Sequence, residues 1–186
     1  MNIHTRTLMT VEEFIDWAML QPRGRYELHR GRIVAMSPER VVHIDVKLAA
    51  AMALRQAVRR SKSPVHALGD GATVKINAHT SYEPDALIYS GVKLPNDTII
   101  IPSPVVVVEV LSPSTAKTDK ETKAADYFTV PSIQHYLILD PEDRGVLHLW
   151  RTKAGTIARK LRRSGTIKLA PPGVTVTVKE LFDLDG

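Results

Sequence analysis

A chain of 186 residues, 44% of them hydrophobic, is long enough for one domain with a buried core and too short for two full domains, so we expect one domain over residues 1–186. The chain has no cysteine, which excludes disulfides, thiolate zinc sites and cysteine nucleophiles and fits a cytoplasmic protein. The net charge of +5 favours an anionic partner, and neither a signal-peptide pattern nor a membrane-spanning apolar run is expected.

The first part of the sequence predicts two helices with a hairpin between them. Thr10 followed by Glu13 forms a capping box, which predicts a short helix over residues 11–20. Residues 25–38 read as two short strands joined at a turn around Gly31. A long amphipathic helix is predicted over residues 40–61, with apolar positions at Val41, Ile44, Leu48, Ala51 and Leu54.

The second part alternates strands with one further helix. Strands are predicted near residues 72–76, 84–89 and 105–111, and a second capping box at Thr118 predicts a helix over residues 118–128 that ends before Pro131. Residues 134–140 read as another buried strand, and residues 146–152, 156–163 and 174–178 suggest an antiparallel tail. This order predicts an α/β fold with a central mixed β-sheet flanked by helices.

A carboxylate stands near the end of the most apolar strand. Side chains alternate along a strand, so Val105, Val107 and Glu109 should share one face. Asp85 has a similar setting, because it follows a proline and begins another strand. Two neighbouring carboxylates raise one another's pKa unless a divalent cation lies between them, and oxygen ligands suit Mg²⁺ or Mn²⁺. Each acid taken alone is also explained as a salt-bridged residue at a strand end, with Lys123 or Lys117 as the candidate partner.

The chain resembles the bacterial family of putative restriction endonucleases within the PD-(D/E)XK nuclease superfamily. The resemblance runs over residues 26–38, 84–90, 108–128 and 135–141. Its most specific part is an aliphatic strand ending in Glu-Val-Leu-Ser-Pro-Ser-Thr, followed by Asp119, Lys123 and Tyr127 spaced by four residues. The resemblance implies a restriction-endonuclease-like core, Mg²⁺ or Mn²⁺ as cofactor, DNA as substrate and a homodimer.

The same resemblance assigns the site residues. It makes Asp85 the metal-binding aspartate, Glu109 the second acidic ligand and Glu27 an early carboxylate that completes the metal site. His43 matches the histidine on the family's long helix, where it would contact the phosphate or a carboxylate. The simpler interpretation of His43 is a polar residue near a helix N-terminus.

One position departs from the superfamily pattern. The third superfamily motif places a lysine two residues after the acid, but that residue here is Leu111. The resemblance implies that the lysine has moved to the following helix, with Lys123 as the candidate and Lys117 and Lys120 as weaker ones. Asp119 and Lys123 lie one helical turn apart, so an ordinary exposed ion pair is the alternative interpretation.

The implied function is metal-dependent hydrolysis of DNA phosphodiester bonds. The alternative is a nuclease-fold module that binds DNA without turnover, because a fold alone does not establish activity and position 111 lacks the lysine. Two basic clusters could contact DNA phosphates or could simply be solvated surfaces. They contain Arg55, Arg59, Arg60 and Lys62 in the first and Arg159, Lys160, Arg162 and Arg163 in the second.

Overall fold

The computed structural model describes residues 8–112 and 119–183. The helices are α1 (Val11–Met19), α2 (Val41–Ser61) and α3 (Ala124–Tyr127), the last preceded by a π-helical turn at Asp119–Lys123. The strands are β1 (Tyr26–His29), β2 (Arg32–Ala35), β3 (Val65–Gly69), β4 (Val74–Asn77), β5 (Thr80–Tyr82), β6 (Ala86–Ser90), β7 (Pro104–Val110), β8 (His135–Asp140), β9 (Gly145–Arg151), β10 (Ile157–Arg162), β11 (Thr166–Leu169) and β12 (Val174–Thr177).

A six-stranded mixed sheet forms the centre of the fold, in the order β10-β9-β8-β7-β6-β3. Strands β7 and β8 are parallel, because the segment with α3 connects them, and the other neighbours in this sheet are antiparallel. A four-stranded sheet in the order β2-β1-β5-β4 and the hairpin β11-β12 complete the described strands. The predicted α/β fold with a mixed central sheet is therefore confirmed.

Helix α1 begins where the sequence predicts. The Thr10 hydroxyl accepts a hydrogen bond from the Glu13 amide at 3.2 Å, and the Glu13 carboxylate accepts one from the Thr10 amide at 2.8 Å. This reciprocal capping box satisfies two amides that a helix N-terminus otherwise leaves unpaired. The second predicted capping box involves Thr118, which lies outside the described residues.

Helix α2 has the predicted length but buries a different face. The predicted apolar positions Val41, Ile44 and Leu48 are 72%, 50% and 51% exposed. Half of the buried residues are alanines, and two are polar: His43, Val46, Lys47, Ala49, Ala50, Ala53, Leu54 and Ala57. The prediction was right at Leu54, which is buried, and at Ala51, which packs against the core, but wrong at Val41, Ile44 and Leu48. The short side chains of alanine let the helix approach the sheet closely, although alanine is less hydrophobic than valine, isoleucine or leucine.

Strand β7 is buried along its whole length and separates two hydrophobic clusters. Val106 and Val108 pack in the cluster beneath α2, whereas Val107 packs in the cluster that includes Tyr127 of α3. The predicted alternation therefore holds in this part of the strand. It fails at Val105, which packs with Val106, because the pairing of β7 with β6 shifts register nearby.

Three strands were not predicted, namely β3, β5 and β11. They are three to five residues long, so the pattern that marks a strand is short in each, even in β11, where polar and apolar residues alternate. Within the described residues, no helix has the length and apolar character needed to cross a bilayer. The single domain over residues 1–186 and the cytoplasmic location stay predictions.

Candidate active site

Asp85 is fixed at the point where β6 begins and β7 ends. Its backbone amide donates to the Val108 carbonyl at 3.0 Å, and its Oδ2 accepts a hydrogen bond from the Val110 amide at 2.6 Å. The residue is 4% exposed, and its Oδ1 lies 2.8 Å from the ammonium of Lys47. Burial raises the pKa of Asp85, while Lys47 and the Val110 amide oppose that shift.

Glu109 lies on β7 and receives two donors on one oxygen. The Tyr127 hydroxyl donates to Glu109 Oε1 at 2.8 Å, and the Lys123 ammonium donates to the same oxygen at 3.0 Å. Burial and the nearby Glu109 carboxylate raise the pKa of Tyr127, so this phenol stays a hydrogen-bond donor. The predicted acid of the apolar strand is thus a buried, hydrogen-bonded carboxylate.

Glu27 connects the small sheet to this part of the large sheet. It lies on β1, and its Oε1 accepts a hydrogen bond from Lys123 at 3.0 Å and another from the Glu83 amide at 3.0 Å. The Lys123 ammonium also lies 5.1 Å from the centre of the Tyr82 ring. We call the group of Lys123, Glu27, Glu109 and Tyr127 the Lys123 cluster.

A second group forms around Lys47, a residue that the sequence did not single out. The Lys47 ammonium lies 2.8 Å from Glu39 Oε1, 2.7 Å from Asp70 Oδ2 and 2.8 Å from Asp85 Oδ1. Burial acts to lower the pKa of Lys47, but the three carboxylates outweigh it, and the pKa lies above its ordinary value. We call Lys47, Glu39, Asp70 and Asp85 the Lys47 cluster.

Arg25 extends the Lys47 cluster towards the surface. Its guanidinium forms a two-pronged ion pair with Asp70 and lies 3.0 Å from Glu83. Burial acts to raise the pKa of Asp70, but Arg25 and Lys47 outweigh it and hold that pKa below its ordinary value. The two clusters contain five carboxylates, and Glu83 is a sixth. Among the described residues, these six face three cations, namely Arg25, Lys47 and Lys123, which is a formal excess of three negative charges.

His43 is connected to the acids through the backbone. Its Nε2 lies 2.6 Å from the Val110 carbonyl oxygen, which only accepts, so Nε2 carries the proton and donates. The amide of the same residue, Val110, donates to Asp85. His43 and Asp85 therefore hold opposite sides of the strand end that follows Glu109.

The structure brings the predicted site residues into two adjoining groups. Glu27, Glu109 and Lys123 contact one another, whereas Asp85 contacts Lys47. Leu111 is buried in the hydrophobic cluster that contains Tyr127. The predicted Asp119–Lys123 pair and the candidates Lys117 and Lys120 involve side chains outside the described residues. The assignment of Glu27, Asp85 and Glu109 to a metal therefore stays a prediction.

The residues missed from the sequence are Glu39, Lys47 and Asp70. A signal existed for Lys47, since it follows His43 by four residues and so shares its helix face. No signal marks Glu39 or Asp70, which lie in connecting segments where charged residues are ordinary.

The donor set fits a divalent cation. Within the described residues, the group of three acids whose ligand atoms lie within 4.8 Å of one another is Glu39, Asp70 and Asp85. Carboxylate oxygens are the ligands that Mg²⁺ and Mn²⁺ prefer. The Lys47 ammonium among these oxygens indicates that they can hold a positive charge.

Both basic clusters lie mostly at the surface. Arg55, Arg59 and Lys62 are exposed near the end of α2, and Arg159 and Lys160 are exposed on β10, an edge strand of the large sheet. Other members are engaged within the chain: Arg60 pairs with Glu180 at 3.0 Å, and Arg163 pairs with Asp143 at 3.4 Å. The exposed members are available to a polyanion.

Known proteins resemble this chain in sequence and in fold. A sequence model of the Uma2 family, described as "Putative restriction endonuclease", matches residues 11–179. A crystal structure described as a putative nuclease belonging to DUF820, from Anabaena variabilis, is 16% identical and superimposes with a TM-score of 0.70 over 94% of this chain and 97% of that one. At this identity the likeness shows the fold. No curated protein matches the sequence.

Proposed function

The chain belongs to the Uma2 family of putative restriction endonucleases, and from this premise we propose that it is a metal-dependent endonuclease that hydrolyses DNA phosphodiester bonds. The observation that carries the proposal is the contact of Lys123 with Glu109 at 3.0 Å. The superfamily pattern pairs its second acid with a lysine two residues later, and Leu111 occupies that position here. Lys123 supplies the missing ammonium from the following helical segment.

Asp85, Glu109 and Glu27 are the proposed ligands of Mg²⁺ or Mn²⁺. When bound, the ion polarises the scissile phosphate and lowers the pKa of the attacking water. Support comes from the all-oxygen donor set and from the excess of negative charge around it. Glu39 and Asp70 lie beside Asp85 and add to the negative potential that attracts a cation.

The remaining residues position the site or stabilise charge. Lys123 directs an ammonium to the carboxylates, where it would stabilise charge developing on the phosphate or orient the water. Tyr127 holds the rotamer of Glu109 through its hydroxyl. His43 is a positioning residue, because it fixes the Val110 peptide whose amide holds Asp85.

DNA is proposed to contact the exposed arginines and lysines through its phosphates. Such contacts release counterions, so binding should weaken steeply as the salt concentration rises. Replacing Arg55 and Arg59 by Gln should reduce both the affinity and its salt dependence in a fluorescence anisotropy titration of labelled duplex. If the affinity is unchanged, these arginines form a solvated surface only.

The proposal includes a homodimer formed through the outer face of α2. Val41, Ile44, Leu48 and Met52 follow helical spacing on that face and are between 41% and 72% exposed. Light scattering after size exclusion should give twice the chain mass, and Leu48→Lys should shift it to the monomer. A wild-type monomer across the micromolar range would contradict this part.

Cleavage assays test the proposed activity. Supercoiled plasmid and duplex oligonucleotides are incubated with Mg²⁺, Mn²⁺ or EDTA, and we expect cleavage that EDTA abolishes. Asp85→Asn and Glu109→Gln should remove it while keeping the fold by circular dichroism. Asp97→Asn is the matched control, because Asp97 is an exposed carboxylate outside both clusters. Metal-independent cleavage, or cleavage that survives Asp85→Asn, would overturn the proposed site.

A binding module without turnover is the second candidate. The observation that favours it is the contact of Lys47 with Asp85 Oδ1, because this contact engages an oxygen that a metal ligand needs. This candidate predicts retained DNA binding with no cleavage of any substrate by either ion. It also predicts that Lys123→Ala changes nothing measurable in the cleavage assay.

A further inference from the structure

Lys47 lies where few lysines lie in proteins, on the inner face of a helix packed against a sheet. It is 5% exposed, and neighbouring residues of the same face are mostly alanines. A buried ammonium is costly unless its charge and its three N–H groups are matched. Here three carboxylates lie within 2.7–2.8 Å of the nitrogen, so all three N–H groups have acceptors.

The three carboxylates come from separate segments and converge on one point. Glu39 precedes α2, Asp70 follows β3, and Asp85 precedes β6. One oxygen of each lies within 4.8 Å of the others, and the Lys47 ammonium contacts all three carboxylates. Glu39 and Asp70 therefore hold the ammonium against Asp85, which is the member of this cluster among the metal ligands proposed above.

The contact of Lys47 with Asp85 opposes metal binding at Asp85. Asp85 Oδ2 accepts a hydrogen bond from the Val110 amide, and Oδ1 lies 2.8 Å from the Lys47 ammonium, so both oxygens are already engaged. An ammonium and a divalent ion held by the same carboxylate repel each other, so binding of one weakens binding of the other.

We infer that Lys47 is a built-in cation that competes with the divalent metal for Asp85, so that loading the metal site proposed above displaces the Lys47 ammonium from Asp85, while Glu39 and Asp70 stay as its partners. The inference rests on the metal dependence proposed above and adds a control on it. Without metal, Lys47 keeps the carboxylates together and compensated. With metal, the flexible four-carbon stem lets the ammonium withdraw. This competition raises the metal concentration that is needed to fill the site.

Metal affinity of Lys47 variants tests the inference. Mn²⁺ binding is measured by isothermal titration calorimetry and by the rise in melting temperature with Mn²⁺. Lys47→Met removes the competing charge, and Lys47→Gln removes the charge but keeps hydrogen-bond donors, so that a folded variant is available if the first does not fold. We expect Mn²⁺ to bind both variants at least tenfold more tightly than the wild type.

Two controls make this result specific. Lys153→Met removes one positive charge from an exposed position outside both lysine clusters and both basic clusters, and should leave the Mn²⁺ affinity within twofold of the wild type. Adding Asp85→Asn to Lys47→Gln should abolish the gain, because the contested carboxylate loses its charge. Equal or weaker Mn²⁺ binding by the Lys47 variants, or the same gain in Lys153→Met, overturns the inference.

The outcome also separates this inference from the proposed function. Cleavage and Mn²⁺ binding by the wild type, with no gain in the Lys47 variants, overturns the competition and leaves the nuclease intact. Tighter Mn²⁺ binding by the variants with no cleavage by any form supports the competition and overturns the nuclease. Absence of Mn²⁺ binding in every form overturns both.

Discussion

Lys47 and Lys123 are the buried lysines of the chain that the structure describes, and the two clusters around them differ in composition. Among the described residues, Lys47 contacts three carboxylates, whereas Lys123 contacts two carboxylates and lies over the Tyr82 ring. Each lysine is held by acids from distant parts of the chain. The described contacts of Lys47 are thus all with carboxylates, whereas those of Lys123 include an aromatic face.

The two clusters also divide the predicted site residues between them. The Lys123 cluster contains two of the three acids that the resemblance assigns to the metal, Glu27 and Glu109, together with the lysine proposed to replace the one missing at position 111. The Lys47 cluster contains the other assigned acid, Asp85, which pairs with a lysine outside the family pattern. Under the proposals above, Lys123 acts on the substrate and Lys47 on a metal ligand.

The largest expected effect is on stability at Lys47. Removing one partner of a buried ion pair leaves an uncompensated charge and costs about 3–5 kcal/mol. Lys47→Met should therefore lower the free energy of unfolding by this amount in EDTA, measured by urea denaturation. In Lys47→Met with Asp85→Asn the loss should be smaller than the sum of the single losses. If Lys47→Met has the same unfolding free energy as the wild type, the stability of the Lys47 cluster does not depend on that side chain.

The next effect is on rate at Lys123. Losing one pre-organised electrostatic group costs about 2.7–4 kcal/mol in the barrier, so Lys123→Ala should slow cleavage about a hundred- to a thousand-fold. Binding of Mn²⁺ and of DNA should persist, because Asp85, Glu109 and the exposed arginines remain. Lys117→Ala is made in parallel. A loss of cleavage in Lys117→Ala alone would transfer the catalytic role to Lys117.

A smaller effect, on the pH dependence of stability, is expected from a pair of buried histidines outside the two lysine clusters. His135 Nδ1 lies 3.0 Å from His148 Nε2 across β8 and β9. Burial lowers the pKa of His135 to about 4 and, together with His135, lowers that of His148 to about 3. The unfolded chain therefore binds protons below about pH 6.5 that the folded chain does not, so stability falls as the pH falls from there towards the folded pKa values.

The expected loss is about 1.4 kcal/mol per histidine and pH unit below about 6.5, or about 2 kcal/mol each at pH 5. His148→Gln should remove about half of this acid sensitivity in urea denaturation at pH 7 and pH 5. Glu39 and Asp70 have lowered pKa values, so their contribution is lost only below the ordinary carboxyl range near pH 4. An unchanged acid response in His148→Gln would show that His148 does not cause it.

The smallest expected effect is at Tyr127. Its hydroxyl is one of two donors to Glu109 Oε1, so Tyr127→Phe should cost about 1–2 kcal/mol of stability, less than the loss expected for Lys47→Met. Thermal denaturation measures this difference. A cost equal to that of Lys47→Met would mean that the Lys123 cluster depends as strongly on one side chain as the Lys47 cluster does.

Local sequence determined several features without help from the rest of the fold. The capping box at Thr10 and Glu13 begins α1, because its hydrogen bonds join residues three apart. The run of valines forms the fully buried strand β7 with Glu109 near its end, because four β-branched residues favour a strand and exclude a solvent face. The block after that strand was specific enough to indicate the family.

Tertiary structure decided which face of α2 is buried and which acids meet. Hydropathy favoured the face with Val41, Ile44 and Leu48, but packing selected the alanines, because burial depends on how closely a helix fits its sheet. Glu39, Asp70 and Asp85 are separated by 31 and 15 positions along the chain. Their convergence on Lys47 depends on three connections meeting in space, and no periodicity in the sequence records such a meeting.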